Sequence, residues 1–249
     1  MDRYDRNRRV DFVGTDGQEK LKKARVLILG AGGVGSFVLM NLSALGVGHI
    51  GIVDSDKVEL SNLNRQVIYN MDSIGKYKVD EAKKWVEKFN SDIKVKTFCL
   101  RLDKQNCQTV YDDYDILVDA FDTEESVDII NETAVKYDKI LIHAGLCNTQ
   151  GSVMTTIPHK TACFNCFMDT KKRVKEEKKP TGAIAPAIST IASFEVFEVL
   201  KIILEKDNLV VNSPLIIDCV HGKTLRPKIY YKEEKCPVCG LPLCDFIKN

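Results

Sequence analysis

The chain lacks a charge excess, a long apolar run and any internal repeat, and each lack narrows its possible roles. It carries 36 basic against 35 acidic residues, a formal net charge of +1. No global field therefore draws it to nucleic acid or a membrane surface, and any binding has to be local. No uninterrupted stretch approaches the roughly 18 apolar residues of a membrane span. The first ten residues, MDRYDRNRRV, have no apolar core of the kind a secretory leader needs. The expectation is a soluble, cytoplasmic protein with neither nucleic acid nor membrane as partner. The one strong charge run is KKRVKEEKKP, at 171–180, read as a solvated crossover loop. The four histidines, His49, His143, His159 and His221, show no ligand spacing with one another and receive no role.

What is present is enough for a large core: 249 residues, 44% of them hydrophobic. Short β-branched runs at 25–29, 49–53, 93–100, 115–120 and 139–144 read as strands, and helical spacing over 36–45, 79–90 and 124–137 separates them. Strands alternating with helices require crossover connections, so the fold class is α/β with a doubly wound, Rossmann-like, mostly parallel sheet. Beyond residue 145 the rhythm changes. Strands at 152–157 and 215–220, a long apolar helix over 186–205 and a further edge at 223–231 predict an antiparallel continuation of the same sheet. The whole chain, 1–249, reads as a single domain with a soft division near 150. Trp85, Val86 and Phe89 read as core packing, with a dimer contact as the lesser option.

LGAGGVGS follows the first strand and opens a helix, and Gly30, Gly32 and Gly35 fit G-x-G-x-x-G, with Gly33 in the same loop. Glycine admits a phosphate chain close to the backbone, and a helix N-terminus offers unpaired N–H groups and positive potential. Asp54 ends the second strand, where a carboxylate accepts from ribose hydroxyls. Alone, this favours NAD or FAD. The rest of VDSDKVELSNLNRQ shifts the balance, because a nicotinamide enzyme has no need of Asp56, Ser61, Asn62, Asn64, Arg65 and Gln66 in one loop. A nucleoside triphosphate carries about four charges that need cationic and amide donors. Lys78, just before the next helix, is a second cation suited to them. Asp119 and Asp122, in VDAFDT, fall at the carboxyl edge where open α/β sheets bind ligands. Asp119 is nearer the strand and reads as a cap of the turn; Asp122 is the better magnesium ligand, with Thr123 beside it.

Nine cysteines in a reducing compartment point to metal or catalysis before disulfides. Cys163 and Cys166 (CFNC) pair with Cys236 and Cys239 (CPVC) as four thiolates suited to tetrahedral zinc, and four sulfurs leave no open position for catalysis. Cys244 is either a competing ligand or a spare thiol. Cys99, Cys107 and Cys219 read as packing residues, and Cys147 is ambiguous.

Taken together, RYDRN (3–7), GTDGQEKL (14–21), GAGGVG (30–35), DSDKVELSNLNRQ (54–66), GKYKV (75–79), DAFDT (119–123), GAIAP (182–186) and the two C-x-x-C pairs resemble the MoeB/ThiF/HesA family, relatives of the ubiquitin-activating enzymes. The resemblance implies adenylation of the C-terminal glycine carboxylate of a ubiquitin-like sulfur carrier ending in Gly-Gly, with ATP as co-substrate and pyrophosphate released. It implies ribose contact by Asp54, phosphate contacts by Asn62, Arg65 and Lys78, and magnesium at Asp122. It also implies a homodimer in which Arg6 reaches the phosphates of the other subunit. Some members carry a cysteine that bonds to the carrier in the loop before the segment matching GAIAP. Here no cysteine lies between Cys166 and Cys219, so activation is expected to stop at the acyl-adenylate, with sulfur from a separate donor. Competing readings are a nicotinamide oxidoreductase, a silent scaffold, and adenylation of a free peptide's C-terminus for a natural product.

Overall fold

The computed structural model describes residues 2–168 and 182–240. The basic run at 171–180 and Cys244 lie outside the described residues. A short helix α1 (Asp5–Arg8) and α2 (Gly14–Lys23) lead into β1 (Arg25–Leu29), α3 (Gly33–Leu45) and β2 (His49–Val53). A loop with two single-turn 3-10 helices, Leu60–Asn62 and Met71–Ser73, precedes α4 (Lys78–Phe89) and β3 (Lys94–Phe98). Then come α5 (Cys107–Tyr111), β4 (Ile116–Asp119), α6 (Glu124–Lys136), β5 (Ile140–Cys147) and β6 (Gln150–Thr156). The described residues continue with α7 (Phe164–Phe167), α8 (Ala185–Ile203), β7 (Leu215–Asp218) and β8 (Lys223–Leu225).

All eight strands form one sheet in the order β3-β2-β1-β4-β5-β6-β7-β8. The first five are mutually parallel, and β6, β7 and β8 join antiparallel. The central strands are almost uninterrupted apolar sequence because helices cover both faces. On one face Val26, Ile28, Ile50 and Ile52 pack beneath α3, α4 and α8; on the other Leu27, Leu29, Leu117 and Leu141 pack with Tyr111, Ile130 and Ala134 of α5 and α6. Truncating one such buried leucine or isoleucine to alanine typically costs about 2–5 kcal/mol. Helix α3 ends on Gly46 in the left-handed region, φ +78°, and α8 begins with Pro186 in its first turn.

From β1 the chain winds outward to β2 and β3, then crosses back to place β4 on the other side of β1. The connections on either side leave in opposite directions, which opens a crevice at the carboxyl ends of β1 and β4. The last edge is shorter than its sequence suggests: β8 covers three residues, not the whole of 223–231. Phe89 also departs from expectation. It is 38% exposed, its ring stacked on Trp85 at 4.9 Å and overlain by Arg3, because α4 is an outer helix and turns only Val79, Ala82 and Val86 fully inward. Cys107 is buried, as a packing residue should be, but Cys99 is exposed and Cys219 only partly covered, since each lies just past the end of a strand.

Candidate functional site

The glycine loop joins β1 to α3 at the crevice. Its first and last glycines are demanded by the protein itself: a side chain at Gly35 would collide with the Gly30 carbonyl oxygen. Gly32 is different. A Cβ there would meet only Gln66 Nε2, at 3.8 Å, so the space beside it is left open by the protein and suits a ligand approaching the backbone. Gly33 lies under α8 and the stem of Arg65, with Ile188 Cδ1 and Arg65 Cγ at 3.0 and 3.8 Å from the position its Cβ would take. The 54–66 loop thus folds back over the glycines and brings Arg65 and Gln66 to them.

Several hydrogen bonds set this geometry. Asp54 is buried; its two oxygens accept from the Ala31 and Asp56 N–H groups at 2.8 and 2.7 Å. Burial pushes its carboxyl above the ordinary range, opposed by the Lys78 charge and those two N–H groups. Each oxygen keeps a second lone pair for a ligand hydroxyl. Asn62 is buried and accepts from the Glu59 N–H at 3.1 Å; Asn64 is exposed and accepts from Arg65 Nη1 at 2.9 Å. The same guanidinium donates to the Ser61 carbonyl at 2.8 Å. Gln66 is buried with its Oε1 lacking a partner among the described residues, an acceptor waiting for a donor.

Lys78 begins α4 and is only 7% exposed, yet its Nζ sits 2.8 Å from an exposed carboxylate oxygen of Asp56. A cation so withdrawn from water is costly unless anions face it. Tyr69, which sequence reading passed over, ties this helix start to the glycine loop: its buried hydroxyl is 2.8 Å from the Ala31 carbonyl and 3.3 Å from that of Lys78. Only its position in a loop between two turns could have flagged it. The N-terminal ends of α3 and α4 thereby meet at one mouth, and their unpaired N–H groups and dipoles favour an anion there.

The β4–α6 turn forms the facing wall. Asp119 is the register partner of Leu29, and Ala120 donates its N–H to the Leu29 carbonyl at 2.8 Å. Asp122 is exposed, and Thr123 caps α6 by accepting from the Ser126 N–H at 3.3 Å. Gly30, Gly32, Gly33, Gly35, Asp54, Asp56, Asn62, Asn64, Arg65, Gln66, Lys78, Asp122 and Thr123 therefore all lie in the segments that leave the carboxyl ends of β1, β2 and β4. Arg6 does not. Tyr4 holds α1 against Gly46, at the far end of α3, and 13 helical residues span about 20 Å. That is beyond an arginine's reach.

Cys163, Cys166, Cys236 and Cys239 lie apart from the crevice, with all four Sγ atoms within 4.8 Å of one another and all four residues buried. Cys163 and Cys236 are 3.8 Å apart, Cys166 and Cys239 3.3 Å; four sulfurs about 2.3 Å from one ion would stand about 3.8 Å apart. The donor set fits a tetrahedral metal. Asn131 and Asn165 add N–H groups 3.7 and 3.6 Å from Cys163 and Cys236, the outer-shell contacts thiolates accept. Hydrogen bonding from Cys163 holds the Cys166 thiol below its ordinary value, while the contacts with Cys166, Cys236 and Cys239 push Cys163 up. Cys147 is exposed at the end of β5.

A doubly wound sheet with a glycine loop, a withdrawn lysine and a cluster of four cysteines that could hold a metal defines the class of the domain. The ThiF family profile matches residues 4–238, and the chain belongs to the ThiF family. It is 34% identical over 241 residues to the adenylyltransferase and sulfurtransferase MOCS3 of Culex quinquefasciatus, covering 96% of this chain and 55% of that protein. The chain thus spans about half the length of such curated relatives. It is 32% identical over 257 residues to the sulfur carrier protein adenylyltransferase of Thermus thermophilus, covering 96% of this chain and 91% of that one. The crystal structure of E. coli MccB with ATP superposes with a TM-score of 0.85 at 28% identity, over 96% of this chain and 75% of that one.

Proposed function

We propose that this chain is an ATP-dependent adenylyltransferase that activates the C-terminal glycine carboxylate of a ubiquitin-like sulfur carrier ending in Gly-Gly. The observation that carries this reading is Lys78, a nearly buried cation at the start of α4, tied through Tyr69 to the glycine loop that opens α3. A dinucleotide's pyrophosphate needs no such extra charge; a triphosphate does. The names of the MOCS3 and Thermus relatives point the same way.

In the reaction a carrier carboxylate oxygen bonds to the α-phosphorus, the bond from that phosphorus to the bridging oxygen breaks, and pyrophosphate leaves. No proton transfer and no protein nucleophile is needed. Two anions must be brought together, so the work is positioning and charge neutralisation. Asp54 receives the ribose; Asn62, Lys78 and Arg65 hold the phosphates once Arg65 leaves its loop carbonyl, and Gln66 borders the nucleotide beside Gly32. Asp122 is the residue that would hold magnesium, which when bound supplies further neutralising charge. The four cysteines would hold zinc and fix the C-terminal segment to the sheet extension. Arg6 acts in a homodimer on the partner's phosphates, and a separate protein donates sulfur. The likeness to MccB supports a second reading, adenylation of a peptide's C-terminus. Calorimetry separates both from an oxidoreductase: magnesium-dependent ATP binding with no binding of a nicotinamide dinucleotide is expected, and the reverse would overturn the proposal.

A further inference from the structure

The parallel strands β4 and β5 carry a polar pair where every neighbour suggests an apolar one. Asp119 and His143 are register partners, 0% and 8% exposed, with His143 Nδ1 2.7 Å from Asp119 Oδ2. A carboxylate only accepts, so Nδ1 carries the hydrogen and the ring's orientation is set. The second Asp119 oxygen accepts the Phe121 N–H at 3.2 Å. That amide opens the turn leading to Asp122 and Thr123, and the Phe121 ring abuts Gly30, its Cδ1 3.2 Å from where a Cβ would stand.

The imidazole also meets the segment that carries the first two cysteines. The Phe164 ring meets it edge-on, centroids 4.5 Å apart. Phe164 lies between Cys163 and Cys166, and its N–H is donated to Asn131 Oδ1 at 3.0 Å; the same Asn131 side chain reaches Cys163 Sγ at 3.7 Å. Four cysteines, α7 and the Asn131 region of α6 are thereby linked, and His143 adds a side-chain contact, through Phe164, between that group and the start of the turn at Asp119.

We propose that His143 is a positioning residue: by fixing Asp119 it sets the turn that presents Asp122, and through Phe164 it ties that turn to the four-cysteine cluster. Its consequence for magnesium rests on the adenylation reading; the mechanical link does not. A bland alternative is that the imidazole only satisfies a buried carboxylate. That alternative lowers global stability on substitution without selecting the turn.

The test is amide hydrogen exchange on the full, metal-loaded chain. His143→Leu is expected to lower protection of the Phe121 amide about 10-fold while β1 and α3 keep theirs, and His143→Asn, whose amide nitrogen sits near the place of Nδ1, is expected to restore it. Phe164→Leu, which keeps the backbone bond to Asn131, should give a smaller loss confined to the same turn. ATP–pyrophosphate exchange supplies a second reading: the magnesium needed for half-maximal rate rises about 10-fold in His143→Leu and returns in His143→Asn. Undisturbed Phe121 protection in a folded His143→Leu chain overturns the proposal, as does an asparagine variant no better than leucine. Should leucine prevent folding, unchanged protection in Phe164→Leu overturns the link to the cluster. Absence of pyrophosphate exchange in the unaltered protein contradicts adenylation instead, and amide protection still decides the role of His143.

Discussion

Tyr4 Oη accepts a 2.7 Å hydrogen bond from Asn90 Nδ2, and the same amide donates to the Ser43 carbonyl at 3.2 Å. Asn90 is the C-terminal neighbour of α4 and Ser43 belongs to the last turn of α3, so one buried side chain pins α1 to the end of the sheet opposite the crevice. Asn7 adds a second tie through Gln18 to the Leu45 carbonyl. Of the arginines on this pinned segment, Arg8 is paired with Asp2, Arg9 with Asp5, and Arg3 lies over Phe89. Arg6 is exposed and has neither ion pair nor hydrogen bond among the described residues.

A rigid, unpaired cation turned away from its own crevice is suited to the crevice of a second copy. Arg6→Ala and Arg65→Ala chains should each be inactive alone. Mixed in equal amounts and allowed to exchange subunits, they should recover about one quarter of wild-type activity, because half the dimers then hold one complete site. No recovery would mean that each chain completes its own site.

Arg65→Ala and Asp122→Ala should each lower ATP–pyrophosphate exchange by about 10²–10³-fold, the scale of losing one preorganised charge at a reacting phosphate. Arg65 is half-buried and bonded only within its loop, and Asp122 is exposed. Thermal melting and metal content should therefore stay at wild-type values in both; full exchange in either variant removes that residue from the site.

Cys166→Ser should release the metal and destabilise the chain. The cluster joins residues 73 apart, Cys163 to Cys236 and Cys166 to Cys239, so metal binding free energy, on the order of 10 kcal/mol for structural zinc, stabilises the fold directly. A chelator should lower the melting temperature of the wild type and leave the variant unmoved. Elemental analysis checks the first step: unchanged metal content in the variant contradicts the cluster.

Glu195, on α8, is fully buried with neither carboxylate oxygen hydrogen-bonded among the described residues. Burial holds its carboxyl well above the ordinary range, and the nearby Asp119 charge adds to this. Below the unfolded carboxyl value, near 4.5, both states are protonated and nothing is lost. As pH rises past it the unfolded chain ionises first, so stability falls towards the raised folded value. Glu195→Gln should match the wild type near pH 4 and melt higher at pH 7–8, with about 2–4 °C gained per kcal/mol in a domain of this size. Parallel melting curves across that range would show that the carboxyl is not kept neutral.

The strands and long helices could be read from the sequence because covered parallel strands leave unbroken apolar runs and surface helices leave 3.6-residue periodicity. The glycine loop and the cysteine pairs were legible for a related reason: each packs its chemistry into one short segment with fixed spacing. What escaped depends on contacts between distant segments. Tyr69 bridges Ala31 and Lys78, and His143 meets Asp119 across two strands and Phe164 from α7. A lone tyrosine or histidine has no spacing to betray it. The exposure of Cys99 and Phe89 was missed similarly, since a strand's end and a helix's outer face differ from the core only by a residue or two.

The most direct test is carrier-dependent ATP–pyrophosphate exchange with a panel of small ubiquitin-like proteins ending in Gly-Gly. At least one carrier should drive magnesium-dependent exchange of labelled pyrophosphate into ATP, and deletion of its last glycine should abolish it. Tight binding of a nicotinamide dinucleotide, with no ATP binding at any magnesium concentration and no exchange with any carrier, would contradict the account.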